Sequence, residues 1–232
     1  MSEADLFISG DYVPHFRPED RSNPFRFIYR RKLSDVLHFL GDVRGKRILD
    51  AGGGMGRLSV PLAAAGAQVA LTDLSAAMLA ASRGRTAGGP APSLVVADAA
   101  RLPYPDGAFG AVAALDLFCH LPDPQKGLAE LRRVLEPGGT LLIDSTNSNP
   151  LWVFFYPRYP GLSPRKWAGA LRHGGLLPGW EGRVRHYREP EFHRHLRDAG
   201  FEIGAVRRYG PAVCPKWHLA AARSPSGGAR RA

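Results

Sequence analysis

"ILDAGGGMGRLS", residues 48–59, packs four glycines into five positions behind a short apolar run that ends in Asp50. "KRILD" (46–50) reads as a buried strand and "RLSVPLAAAG" (57–66) as a helix closed by Gly66. Pro61 fits that helix only in its first turn, where backbone N–H groups have no partner to lose. A strand, a glycine loop and a helix bring bare backbone against a ligand. The dinucleotide fingerprint G-x-G-x-x-G, counted from Gly52, needs a third glycine at 57, where the chain has Arg57. No lysine follows the glycines as a triphosphate loop requires. What is present is D-x-G-x-G-x-G: Asp50, Gly52, Gly54 and Gly56. A carboxylate in front of the loop repels phosphate and attracts an ammonium group.

Outward from this stretch, short apolar runs alternate with helical patterns. "QVALTD" (68–73), "SLVVAD" (93–98), "AVAALD" (111–116) and "TLLIDS" (140–145) read as strands. "SAAMLAAS" (75–82), with Ser75 as N-cap, and "PQKGLAELRRVL" (124–135) read as helices, and "EPGG" (136–139) as a turn. Such alternation predicts an α/β fold: a doubly wound, Rossmann-like parallel sheet with helices on both faces. Ligands then bind at the carboxyl ends of the strands, beside the first one. "EPEFHRHLRDAG" (189–200) is a bounded helix, and "FEIGAVRRY" (201–209) with "KWHLAAAR" (216–223) a closing hairpin.

Two further acids end strands. Asp73, followed by Leu74, closes the second strand and is placed to accept both hydroxyls of a ribose. Asp98 closes the third; its carboxylate can accept from an adenine amino group while the Ala99 N–H donates to the ring. Each acid alone reads equally well as a strand-end cap. Taken together with the loop, ammonium, ribose and adenine describe S-adenosylmethionine (SAM). An Asp73 lying in solvent would cost under about 0.5 kcal/mol of stability to remove.

"ILDAGGGMGRL", "VALTDLSAAMLAAS", "VVADAARLPYPDGAF", "LFCHLPDP" and "LAELRRVLEPGGTLLI" follow one another in residues 46–145. In that order they resemble a class I SAM-dependent methyltransferase of the type 11 group, the broad family that includes the quinone methyltransferases. The resemblance implies a seven-stranded sheet whose last strand is antiparallel, in keeping with the terminal hairpin. "NPFR" (23–26), "HLPDPQ" (120–125) and "STN" (145–147) are similar to segments of the ubiquinone-biosynthesis O-methyltransferases. That similarity implies that Arg26 reaches the cofactor's methionine carboxylate and that the Leu115 backbone faces the cofactor. Two departures stand out. Phe109-Gly110 replaces the family's Phe-Asp. Asp116-Leu117-Phe118-Cys119-His120 replaces an E-x-x-E-H pattern that can hold a divalent ion, and one carboxylate with one imidazole is a poor site for a hard metal. No metal is expected.

Methyl transfer from a sulfonium mainly requires alignment and exclusion of water. A hydroxyl acceptor also needs a base, and His120, just past the fourth strand, is the candidate. A histidine that only shapes the pocket by bonding the loop backbone is an equal alternative. His186 is a second candidate; His193 and His195 read as surface residues.

Residues 1–150 hold 16 Lys+Arg and 16 Asp+Glu, whereas residues 151–232 hold 15 and 5, so the whole net charge of +10 lies in the last third. Residues 146–188, rich in Pro, Gly, aromatics and Arg, read as an inserted lid after strand five. The preferred occupant of that lid is an anionic small-molecule acceptor. A solvated satellite core, a membrane-surface patch and single-stranded RNA follow in that order, and no RRM, KH, zinc-finger or basic-zipper pattern supports the last. The expected organisation is an N-terminal helical cap (1–45), a SAM-binding core (46–145), the lid (146–188), a helix and strand hairpin completing the sheet (189–223) and a disordered tail (224–232). Cys119 and Cys214 stand alone and suit a reducing cytoplasm, and the acidic start "MSEADLF" has no signal-peptide layout. The activity expected is O-methylation of an aromatic or anionic metabolite. The alternatives are N- or C-methylation of a secondary metabolite or lipid-linked substrate, an RNA-directed enzyme, and a non-catalytic SAM-binding protein.

Overall fold

A computed structural model of the chain describes residues 26–86, 88–146, 185–209 and 217–226. Helix α1 (Arg26–Leu40) leads into β1 (Arg47–Ala51), α2 (Ser59–Ala64), β2 (Gln68–Asp73), α3 (Ala76–Arg83), β3 (Ser93–Val96) and β4 (Phe109–Ala114). A 3₁₀ turn (Phe118–His120), α4 (Pro124–Val134), β5 (Leu135–Thr146), α5 (Glu189–Asp198), β6 (Glu202–Tyr209) and β7 (Trp217–Arg223) complete the order. The seven strands form one sheet in the order β3-β2-β1-β4-β5-β7-β6. Strands β1 to β5 pair in parallel, and β7 is antiparallel to both of its neighbours. This is the doubly wound, seven-stranded sheet with an antiparallel last strand that was expected. Among the described residues no helix is long and apolar enough to cross a membrane.

The period of two along each strand sorts the core into two layers. Leu49, Val112, Leu141 and Ile143 face α4 and α5, where Leu128, Leu131, Phe192 and Leu196 are buried. Ile48, Ala111, Ala113 and Leu142 face α1 and α2, where Val36, Leu40 and Leu62 are buried. Helix ends follow local rules. The Ser75 hydroxyl accepts from Met78 N, and the Asp123 carboxylate from Lys126 N. Pro61 and Pro190 lie in the first turns of their helices, and Gly200 takes φ +81° just past α5.

Several elements differ from the sequence reading. Helix α2 begins at Ser59 rather than Arg57, and β3 ends at Val96, so Asp98 lies two residues beyond it. "EPGG" is not a free turn: β5 already begins at Leu135, with a register shift opposite Phe109 and Ala111, and Gly138 at φ +76° carries the bend. Past β7, Ser224 exchanges hydrogen bonds with Gly138 and Gly139, so the first residue assigned to the tail is pinned to β5. His195 is not a surface residue. It lies three positions after the buried Phe192 and packs its ring on Phe118 and Tyr187, at centroid distances of 5.8 and 5.5 Å. His193 is half-buried as well.

On β7, His218 is 1 % exposed, with Nε2 3.3 Å from a Glu189 carboxylate that also binds Arg208. Burial pushes this imidazole down to about 4, against the pull of Glu189. The depressed value makes stability fully present above the ordinary pKa of 6.5 and lost as pH falls through about 4. The shift corresponds to up to about 3 kcal/mol. Urea unfolding at pH 7.5 and pH 4 should therefore differ less in His218→Gln than in wild type, by up to that amount. An unchanged difference would show that the histidine takes up its proton without cost.

Candidate active site

The glycine loop joins β1 to α2 at the carboxyl edge of the sheet. Gly52, Gly54 and Gly56 have φ of +66°, +56° and +74°, a left-handed backbone that side chains resist. Gly53 is required for a different reason, which the sequence pattern did not single out. A Cβ there would stand 2.4 Å from Leu71 Cδ1 and 2.5 Å from Asp50 Oδ2. A Cβ on Gly52 would stand 2.8 Å from Leu117 Cδ1. The loop thus lies flat between β2 and the chain leaving β4. Gly53→Ala should overpack it and destabilise the protein by about 1–3 kcal/mol in urea unfolding. A cost under about 0.5 kcal/mol would mean that Asp50 and Leu71 yield freely.

Asp50 is 2 % exposed beneath this loop, and Ser59 donates its hydroxyl to Oδ2 at 2.5 Å. Burial pushes its carboxyl up to about 6, only partly opposed by Ser59 and the charge of Arg57.

Asp73 ends β2 and closes the other side of the loop. Its Oδ2 accepts from Gly54 N and its Oδ1 from Ser75 N, each at 2.9 Å. Burial raises its pKa against these N–H groups. A carboxylate has about four acceptor positions, so two hydroxyls can still be taken. Beside it, Leu74 is 39 % and Val96 56 % exposed, the exposed large apolar side chains of the described residues. Val96 is the sheet partner of Asp73, so the two form an apolar ledge next to the carboxylate. Asp98 is exposed and accepts from Ala100 N at 2.8 Å, capping its own turn; Ala99 is half-buried against the core.

Past β4, Leu115 is half-buried on the α1 face and Asp116 has φ +56°, a positive value in a residue other than glycine. The Lys32 ammonium of α1, 2 % exposed, lies 2.7 Å from Asp116 Oδ1 and forms an ion pair with the buried Asp144 of β5. Asp116 N donates to Asp144 Oδ1 at 2.6 Å, and Arg57 lies 3.5 Å from the other Asp116 oxygen. Burial raises the Asp116 carboxyl, but Lys32 and Arg57 pull it below its ordinary value. Burial pushes Asp144 up to about 6, with the Asp116 charge adding to it and Lys32 opposing it. Sequence reasoning did not find this cluster. Its members are 84 and 28 residues apart along the chain. The one local signal was a lysine, Lys32, on a face of α1 that otherwise buries Val36 and Leu40.

His120 ends the 3₁₀ turn, half-buried, with its backbone N–H donated to Leu117 O. Burial raises the neighbouring Cys119 thiol, which is an unreactive core group. Thr146 leaves β5 here, and the chain returns here too: Arg185 N donates to Cys119 O and Tyr187 N to Thr146 O. Both ends of the insertion therefore sit at the mouth of the site. The lid's aromatic and arginine residues between 147 and 184, and the Arg26 side chain, lie outside the described residues. His186 is half-buried beside the mouth. No group of three or more His, Cys, Asp or Glu among the described residues is arranged to hold a metal ion.

Residues 49–143 match the methyltransferase domain family. A demethylmenaquinone methyltransferase of Clavibacter sepedonicus is 43 % identical over 134 residues, which are 57 % of this chain and 55 % of that protein. A ubiquinone biosynthesis O-methyltransferase of Marinobacter nauticus is 29 % identical over 198 residues, 83 % of this chain and 76 % of that one. The chain spans about half the length of the demethylmenaquinone methyltransferases it matches. Among solved structures, magnesium protoporphyrin IX methyltransferase from Synechocystis PCC 6803, with bound S-adenosylhomocysteine (SAH), superposes with a TM-score of 0.73 at 23 % identity, covering 95 % of this chain and 97 % of its own. Strand order, glycine loop and family match agree: residues 49–143 carry a methyltransferase domain, on the fold of the SAM-dependent methyltransferases with which the chain superposes.

Proposed function

We propose that the protein transfers the methyl group of SAM to a small-molecule acceptor. The observation that carries this is the Gly52–Gly56 loop laid flat against Leu71 and Leu117, with Asp73 holding Gly54 N at its far end. In this reading the loop carbonyls take the ammonium of the cofactor, with Asp50 beneath them as counter-charge. Asp73 takes the ribose hydroxyls, Leu74 and Val96 flank the adenine, Asp98 and Ala99 meet its polar edge, and the Leu115 backbone faces the sulfur end. Arg26 is assigned to the methionine carboxylate. When bound, SAM supplies a sulfonium methyl poised for in-line displacement.

The chain's own residues then have two tasks. The glycine loop and Asp73 orient the donor, and His120 takes the proton that a hydroxyl acceptor gives up. We assign the acceptor to ring-bearing metabolites, because relatives are named for quinones and the superposing structure for a porphyrin. The basic balance of residues 151–232 favours an anionic group on it. O-methylation is preferred because of the imidazole at the mouth; relatives named as C-methyltransferases make carbon the competing atom. Titration calorimetry in EDTA should show SAM and SAH binding in the micromolar range and no NADH binding. Absence of heat with both at high micromolar concentration would sink the proposal. Incubation of extract with labelled SAM should then give a product heavier by one methyl group.

A further inference from the structure

Helix α1 starts at the carboxyl edge of the sheet, where Lys32 meets Asp116 and Asp144, and ends at the amino edge, where the Leu40 carbonyl accepts from Lys46 just ahead of β1. Side chains on a helix lean toward its N-terminus, so the Lys32 ammonium points at the carboxyl edge. The helix continues from Lys32 back to Arg26, six residues or about 9 Å. Its first turns therefore lie over the carboxyl edge, on the face that carries α2 and the glycine loop.

The cluster that holds Lys32 borders the end of the glycine loop, the start of the insertion and the turn that carries His120. Asp116 joins Lys32 on one oxygen and approaches Arg57, at the end of the glycine loop, with the other. Its N–H is held by Asp144, two residues before Thr146, where the insertion departs. The next residue, Leu117, lies against Gly52, and His120 follows in the same turn. Asp116 keeps φ +56° within this arrangement, a conformation that side chains other than Gly, Asn and Asp seldom adopt and that clusters at functional sites. Buried ion clusters add little stability over apolar packing, because desolvation offsets the attraction, whereas removing one partner leaves an uncompensated buried charge. Stability of α1 has other sources: Val36 and Leu40 are buried, and Tyr209 donates to Asp35 at 2.9 Å.

We propose that Lys32, Asp116 and Asp144 form a latch that seats the first turns of α1 over the cofactor and acceptor site, making Lys32 a positioning residue for methyl transfer. The latch rests on the SAM-binding reading above, and the tests separate the two. In K32M, amides of residues 26–34 should exchange at least tenfold faster than in wild type, while those of 36–40 keep their protection, and the Kd for SAH should rise about tenfold or more. The double variant K32M/D144N removes one charge of each sign, and the amide oxygen it places at position 144 can still accept from Asp116 N, so it folds if the single variant does not. It should show the same loss of SAH affinity. Recovery of wild-type affinity in the double variant, or exchange and Kd within twofold of wild type in K32M, overturns the latch. In the wild-type chain, saturating SAH should slow exchange at 26–34 more than in β6 and β7, and equal slowing also overturns it. A wild-type chain that binds no SAH overturns the proposed function instead, and the exchange comparison of K32M with wild type still reads the latch.

Discussion

Asp73→Ala is expected to weaken SAH binding by roughly 10²- to 10⁴-fold. Two hydroxyls on one carboxylate are charge-assisted bonds of about 1.5–3 kcal/mol each, hence about 3–6 kcal/mol in total. A stability cost accompanies it that an acid in solvent would not carry. Asp73 holds Gly54 N and Ser75 N, so its loss leaves two loop donors without their acceptor and should cost about 1–3 kcal/mol. Asp73→Asn, which keeps one accepting oxygen, should recover part of the stability and little of the affinity. Calorimetry with SAH and urea unfolding on the same samples distinguish the two effects. An unchanged Kd in Asp73→Ala would remove Asp73 from the cofactor site and leave it as a loop fastener.

His120→Ala should lower turnover by about a hundredfold while SAH affinity is retained, the range expected when a positioned base is removed. The acidic limb of the pH–rate profile should disappear with it, because a base must be unprotonated to act. In the proposed O-methylation the proton of the acceptor hydroxyl passes to His120 as the oxygen takes the methyl, so the loss should be confined to acceptors that release a proton on methylation. A fall of only a few-fold, with the limb intact, would mean that another group is the base or that the acceptor needs none.

The order of strands and helices was legible in the chain, and the reason is locality. A strand announces itself by period two, a helix by its cap and its apolar spacing. Ser75, Asp123, Pro190 and Gly200 act on backbone groups within four residues of themselves. The glycines at 52, 54 and 56 were legible for the same reason, since a left-handed φ is a property of one residue. Gly53 was not: its need comes from Leu71 and from the turned-under carboxylate of Asp50, which appear only once β2 is packed beside β1. Asp73 was legible as a strand-end acid, but its part in holding the loop was not, because hydrogen-bond partners across a loop are set by register. His195 was assigned to the surface because it does not share a helix face with His193, yet it lies against Phe118, because burial of a helix flank depends on what the helix packs against. The sequence by itself determined the sheet, the loop and the acids lining it. Only the tertiary structure decided that Lys32, one of 31 Lys and Arg residues, is the cation buried between Asp116 and Asp144. Charge carries no address along a chain, and a buried ammonium goes to whichever carboxylates the packed helix and strands bring within its reach.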